Sequence, residues 1–321
     1  MIDFIYILHY LIIFLGIKYY NRYIKIKNKT ILIDNKSNYN IYILSYGIKG
    51  DSSYNLCNEY INSLDIVKKC NKLIFLKYHT KKNNIFNFKR ALKSLGTPIN
   101  DKIIIIYNSS IDPNNMLLTL NNFDYNFIII NIEQVSRKIV LNNLLSIDKN
   151  NCKNITLCDY SYANIELLKN NNIKSMLLPY GIYKNEIYNF EKNIDISTIS
   201  FKSEECVSRR SHIYNLLINN FKDVVDIKGW VYERDKLLFR SKILINVHHF
   251  TDYTIFEEIR CNRCIFNKII VISEYSYKWE NFPLKEHMIF TDYDNIINKT
   301  KEVLNNYDYY HNLLFKNLKY V

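Results

Sequence analysis

Glycine and proline are scarce in this chain, with six and four in 321 residues. The one loop carrying two close glycines, Gly47 to Gly50, lacks the full G-x-G-x-x-G pattern and has no acidic residue at the distance a dinucleotide fingerprint needs. It follows a strand pattern at Ile41 to Tyr46, precedes a helix starting near Ser52 or Ser53, and serves at most as one rim of a substrate cleft. The seven cysteines are odd in number and unevenly spaced, which excludes a disulfide framework and points to a reducing compartment. Cys261 and Cys264 make a C-x-x-C, but no second pair completes a zinc site. A redox pair would open a helix, and this one sits inside, so both read as small packing residues. No repeat with a period of about 20 to 50 residues is visible, which excludes a solenoid.

Long hydrophobic runs are also lacking. Phe4 to Ile17 is apolar except for His9 and is followed by Lys18, Arg22, Lys25, Lys27 and Lys29. The run falls short of the roughly 20 residues of a membrane-spanning helix, although Tyr19 and Tyr20 extend it into the interface. Basic residues follow the apolar stretch instead of preceding it, which disfavours a cleaved signal peptide. The expectation is a short N-terminal membrane anchor with the body on the cytoplasmic side; the alternative is a core helix of the first domain. The net charge of +12 comes from residues spread along the chain without a readout motif, so no nucleic-acid partner is expected.

The clearest organised stretch is Ser241 to Glu274, which reads as an apolar strand (Lys242 to Val247), an amphipathic helix (Ile255 to Phe266) and a second apolar strand (Ile269 to Ser273). Unbroken Ile/Val runs fit a buried parallel sheet, so this is a βαβ unit. Thr254 and Glu257 have capping-box spacing at the helix start. Asn246, His248 and His249, at the carboxyl end of the first strand, then lie beside a helix N-terminus, where free N–H groups favour an anion.

Upstream, strand patterns at Lys72 to Lys77, Lys102 to Tyr107, Asn126 to Ile132 and Asn154 to Cys158 alternate with helical stretches, which implies a doubly wound domain. Glu133 and Gln134 end one strand. They either face the crevice as binding groups, or Glu133 caps the next helix. Asp159 or Ser161 reads as the N-cap of a helix running to about Asn170. After Leu177 to Ile182 a polar segment, Tyr183 to Asn193, divides the chain into a hydrophobic segment (1–29), a first Rossmann-like domain (30–185) and a second one (186–321). The second opens with a strand at Asp195 to Phe201 and a basic helix start, Ser208-Arg209-Arg210, and continues through Val224 to Lys228 and His287 to Thr291.

The stretches NIEQ (131–134), CDYSYANIELL (158–168), LLPYGI (177–182), SRR (208–210), ILINVHH (243–249), IFEEIR (255–260) and NKIIVISE (267–274) resemble, in order, GT-B-type glycosyltransferases of the bacterial and large-DNA-virus group related to CgeB-like and group 1 enzymes. The resemblance covers roughly residues 125 to 290 and implies an α/β fold of two Rossmann-like domains facing a cleft. It also implies a nucleotide-sugar donor held mainly by the second domain, a glycan, lipid or protein acceptor, and no metal or cofactor. Glu257 is similar to the glutamate that bonds donor ribose hydroxyls, and Arg209 or Arg210 to the cation on the donor diphosphate. Arg260 either shares that charge or forms an exposed helix pair with Glu257. The candidate site is therefore Arg209, Arg210 and His248 as catalytic groups, with Asn246, Thr254, Glu257, Arg260, Ser273, Glu274, Glu133 and Gln134 binding substrate. Two features depart from the family pattern: Asn267-Lys268 stands where a glycine closely follows the helical glutamate, and the glutamate pair seven residues apart is missing. A catalytically inactive nucleotide- or glycan-binding relative is the alternative.

Overall fold

A computed structural model describes residues 30–32, 40–46, 60–61, 64, 72–78, 102–107, 116–117, 120–121, 123, 125–149, 154–179, 187–201, 208–229 and 231–318. The Phe4 to Ile17 run, the Gly47 to Gly50 loop and the helix start near Ser52 lie outside these residues. Among the described residues no helix is long and apolar enough to cross a membrane.

The chain is an α/β protein with two sheets. The first contains β1 (Thr30–Leu32), β2 (Asn40–Tyr46), β3 (Lys72–Tyr78), β4 (Lys102–Tyr107), β5 (Asn126–Asn131), β6 (Ile155–Asp159) and β7 (Met176–Leu177), in the order β1-β3-β2-β4-β5-β6-β7. Among the described strands of this sheet only the edge pair β1·β3 is antiparallel. Helices α1 (Lys138–Lys149) and α2 (Tyr162–Asn170) follow β5 and β6.

The second sheet contains β8 (Ile194–Ile199), β9 (Val224–Ile227), β10 (Ser241–Asn246), β11 (Ile270–Glu274) and β12 (Ile289–Thr291), wholly parallel in the order β12-β11-β10-β8-β9. Its helices are α3 (Arg209–Asn220), α4 (Val231–Leu238), α5 (Glu258–Phe266), α6 (Ile296–Asn305) and α7 (Tyr307–Phe315). The Ile/Val runs of β10 and β11 are shut off from water on both faces, as a parallel sheet covered by helices requires. Cys261 and Cys264 are free thiols buried in the core under α5.

The order of the second sheet fixes where a ligand can enter. From β8 the chain steps outward to β9, then crosses back to place β10 on the other side of β8. The helices after β8 and β10 therefore leave opposite faces of the sheet, and a crevice opens between the carboxyl ends of those two strands. The helices there are α3 and α5.

The scarcity of glycine shows at the helix ends. The left-handed position that closes a helix is filled by Asn172 after α2 (φ 58°) and by Lys268 after α5 (φ 54°). Ile269 N–H reaches back to Cys264 O at 2.9 Å and Lys268 N–H to Ile265 O at 2.9 Å. Lys268 thus takes up a backbone shape that glycine adopts without steric cost.

Candidate functional site

Ser208 caps α3: its side chain accepts the Ser211 N–H, and Ser211 Oγ accepts the Ser208 N–H at 2.8 Å, a reciprocal capping box. This holds Arg209 and Arg210 in the first turn, at the crevice. Arg210 turns inward, donating from Nε to Val247 O at 2.7 Å just past β10, and its guanidinium pairs with Glu257. Only 9% of its side chain is exposed. Burial pulls its pKa down, against the opposing pull of Glu257. Arg209 is 28% exposed in its side chain, pairs with Glu274 at the end of β11, and lies with its guanidinium carbon 4.0 Å from the Tyr293 ring centroid.

Glu257 serves two cations. Its second oxygen accepts Arg260 Nη1 at 3.0 Å, and the same nitrogen lies 3.4 Å from Asn246 Oδ1. Asn246 in turn donates to Ser273 Oγ at 3.1 Å. Burial works to raise the Glu257 carboxyl, but Arg260, Arg210 and His248 outweigh it and hold it below the usual carboxylate range. Arg260 is therefore part of a half-buried network, not an exposed helix pair. Glu274 also accepts the His248 N–H at 2.6 Å. The His248 ring is buried with Nε2 3.1 Å from Ser276 Oγ, and its Nδ1 has no partner among the described residues. Burial, joined by the charges of Arg210 and Arg260, keeps the neighbouring His249 imidazole below its ordinary pKa.

The structure thus brings Arg209, Arg210, Asn246, His248, Glu257, Arg260, Ser273 and Glu274 into one connected cluster. Two expectations change. The helix begins at Glu258, not Ile255, and Glu257 at its N-cap position makes no side-chain cap bond, so the Thr254–Glu257 capping box does not form. Ile255 and Phe256 are core residues, 0% and 3% exposed, with Phe256 packed on Phe282 and Phe290, and the two arginines claim the Glu257 carboxylate.

Thr254 and Gln134 instead join the two sheets. Gln134 Oε1 accepts the Ile255 N–H at 3.0 Å, and Ser136 Oγ donates to Asp252 O at 2.8 Å and accepts the Thr254 N–H at 3.4 Å. Glu133 pairs with Arg137, whose guanidinium lies over Tyr253.

A second polar group lies at the same junction, around the expected N-cap candidates Asp159 and Ser161, of which Ser161 is the cap. Asp159, fully buried, accepts from Asn131 Nδ2 (2.6 Å), Ser161 N–H (2.9 Å) and Asn164 Nδ2 (3.0 Å). Glu258, from the second half, accepts the Tyr162 N–H at 3.3 Å and so caps α2 from across the junction, beside the N-cap Ser161. Burial pushes the Asp159 carboxyl up to about 7 and the Glu258 carboxyl up to about 8, with their hydrogen bonds opposing. The Glu258 partners lie about 100 residues away in sequence, so no local pattern announces them. Among the described residues no cluster of His, Cys, Asp and Glu could hold a metal ion.

No protein-family model matches the chain. Two uncharacterized proteins of Acanthamoeba polyphaga mimivirus are each 32% identical to it, one over 193 residues (59% of this chain, 65% of the relative) and one over 192 (58% and 61%). The chain matches less than two thirds of the length of either. Among solved structures it is similar to TarM (TM-score 0.47, 11% identity, 73% of this chain and 53% of that one). Others are an alpha1,3-fucosyltransferase with GDP-fucose (0.42, 12%, 89% and 85%) and the UDP-GlcNAc 2-epimerase from Methanocaldococcus jannaschii (0.49, 9%, 84% and 93%). At these scores and identities the likeness carries no chemistry over to this chain.

Proposed function

We propose that the chain is a glycosyltransferase that takes a sugar from a nucleotide-sugar donor and delivers it to a glycan, lipid or protein acceptor without a metal. The observation that carries this is the position of Arg209, Arg210, Arg260, Glu257 and Glu274 at the switch point of a parallel sheet, beside the capped N-terminus of α3. Three cations against two carboxylates leave one positive charge, and the free N–H groups of the helix add to it. Transfer breaks the bond between the sugar's anomeric carbon and the diphosphate oxygen while the acceptor oxygen bonds to that carbon. The diphosphate leaves with the bonding pair and the acceptor loses its proton. Arginines and helix N–H groups stabilise the charge that builds on the leaving oxygen.

A second reading, nucleotide binding without turnover, draws on the same contacts, since Arg209 and Arg210 are both already paired with carboxylates. A thermal-shift screen against UDP-, GDP-, ADP- and CMP-sugars tests for a donor: a ligand at a hundred times its Kd adds about 2.7 kcal/mol of stability. Silence across all four classes would sink both readings, and binding without hydrolysis or transfer would favour the second. Membrane attachment through the first 29 residues, with the body on the cytoplasmic side, belongs to the same proposal. Removing residues 1–27 is expected to release the protein from the membrane fraction, and equal partitioning of both forms would count against the anchor.

A further inference from the structure

Arg209 is the most exposed of the three site arginines, with 28% of its side chain in solvent against 24% for Arg260 and 9% for Arg210. It is nonetheless tightly placed, and two of its three fixings come from one residue. The Tyr293 ring lies under the guanidinium at 4.0 Å, and the Tyr293 hydroxyl donates to Arg209 O at 3.0 Å across 84 residues of sequence. The third is Glu274, at the guanidinium edge. Arg209 Nε is buried with no partner among the described residues. Tyr293 opens a short 3-10 turn (Tyr293–Asn295) after β12, and its ring also faces His212, one turn further along α3, at 6.5 Å.

A guanidinium donates only in its own plane. A ring beneath it leaves the donor edge open but restricts the plane, so the edge is aimed before any ligand arrives. An arginine on a flexible stem would otherwise lose rotamer freedom on binding. Hydrogen bonding through the hydroxyl ties the same ring to the main chain of the first helical turn, so the shelf and the helix N–H groups keep a fixed relation. We infer that Tyr293 is a positioning residue that holds Arg209 flat for the diphosphate of a nucleotide donor, an inference that rests on the donor reading above. The arrangement favours a ligand with phosphate oxygens in the plane of the guanidinium, where two parallel N–H donors can meet them.

The test is calorimetric titration of the full chain with UDP, GDP and ADP, and with uridine, guanosine and adenosine as phosphate-free controls. The variants are Y293F, Y293L, Y293Q, R209M and the double variant R209M/Y293L. Y293L is expected to weaken binding of the favoured diphosphate about 2- to 13-fold, the range for ordering one freed, rotamer-rich side chain on binding. Y293F, which keeps the ring and loses only the bond to the Arg209 carbonyl, falls between Y293L and the parent. In the R209M background Y293L adds no further loss, and nucleoside affinity does not follow the diphosphate. Equal loss with and without Arg209, or parallel loss for the nucleosides, would assign Tyr293 to packing alone and overturn the inference. If Y293L does not fold, Y293Q replaces it in the same cycle. Failure of the parent to bind any of the three diphosphates removes the diphosphate-donor reading itself, whereas parent binding that is indifferent to residue 293 removes only this inference.

Discussion

Gln134 Oε1 accepts the main-chain N–H of Ile255 at 3.0 Å, joining the end of β5 to the entry of α5 across 121 residues of sequence. Both groups are buried, so the bond cannot be exchanged for water. Gln134→Ala strands the N–H and is expected to cost about 1–3 kcal/mol. Urea denaturation measures the loss. A change within error would mean that the junction relaxes to admit water.

Glu257 is the counter-ion of a nearly buried arginine. Glu257→Gln leaves Arg210 unpaired inside the protein and is expected to cost about 3–5 kcal/mol of stability, more than the double change Arg210→Met, Glu257→Gln. Thermal melts of the three proteins decide it. A single variant as stable as the parent would show that Arg210 finds another partner.

Burial raises Glu258 from an ordinary 4.5 to about 8 and Asp159 from 3.8 to about 7. Tyr60, Tyr160 and Tyr162 face Glu258 along with Asp159, and burial raises all three phenols too. Between their ordinary and folded values the native state holds protons that the unfolded chain has released, so these carboxyls make stability fall as pH rises from about 4 to about 8. Glu257 has the opposite sign: its depressed folded value contributes stability above its ordinary 4.5 that is lost on acidification. Glu258→Gln mimics the protonated acid and keeps an acceptor for the Tyr162 N–H. It is expected to raise the melting temperature at pH 8.5 by several degrees, at about 2 to 4 °C per kcal/mol, and to leave it nearly unchanged at pH 4. Equal effects at both pH values would separate Glu258 from the titration.

Ser208 fixes the first turn that carries both site arginines. Ser208→Ala is expected to cost about 0.5–2 kcal/mol, and Ser208→Asp far less. Chemical denaturation of the two variants checks the order. If Asp is no better than Ala, the bond to the Ser211 N–H contributes nothing.

Most of the strand framework was legible because buried parallel strands are written as Ile runs: β4 and β10 lie within a residue of their sequence positions. The start of α5 was not, because Thr254 and Glu257 have the right spacing for a cap while Ile255 and Phe256 are drawn into the core and Arg210 takes the carboxylate. A local pattern cannot register that competition. The polar groups at the switch point of the second sheet and at the junction show the same division. Asn246 and Glu257 could be proposed from their places in the βαβ unit, whereas Tyr293 and Glu258 acquire their partners only once distant segments meet.

The Asn131, Asp159 and Asn164 contacts are complete within a span of 34 residues, from 131 to 164. On a ribosome, that polar knot can close as soon as α2 has emerged, long before Glu258 is made. Until then the α2 N-terminus presents the Tyr162 N–H to water. The first half therefore begins its life with an incompletely capped helix end, and the arrival of α5 brings the Glu258 carboxylate that closes it. Docking of the second half in this sense closes a helix begun in the first.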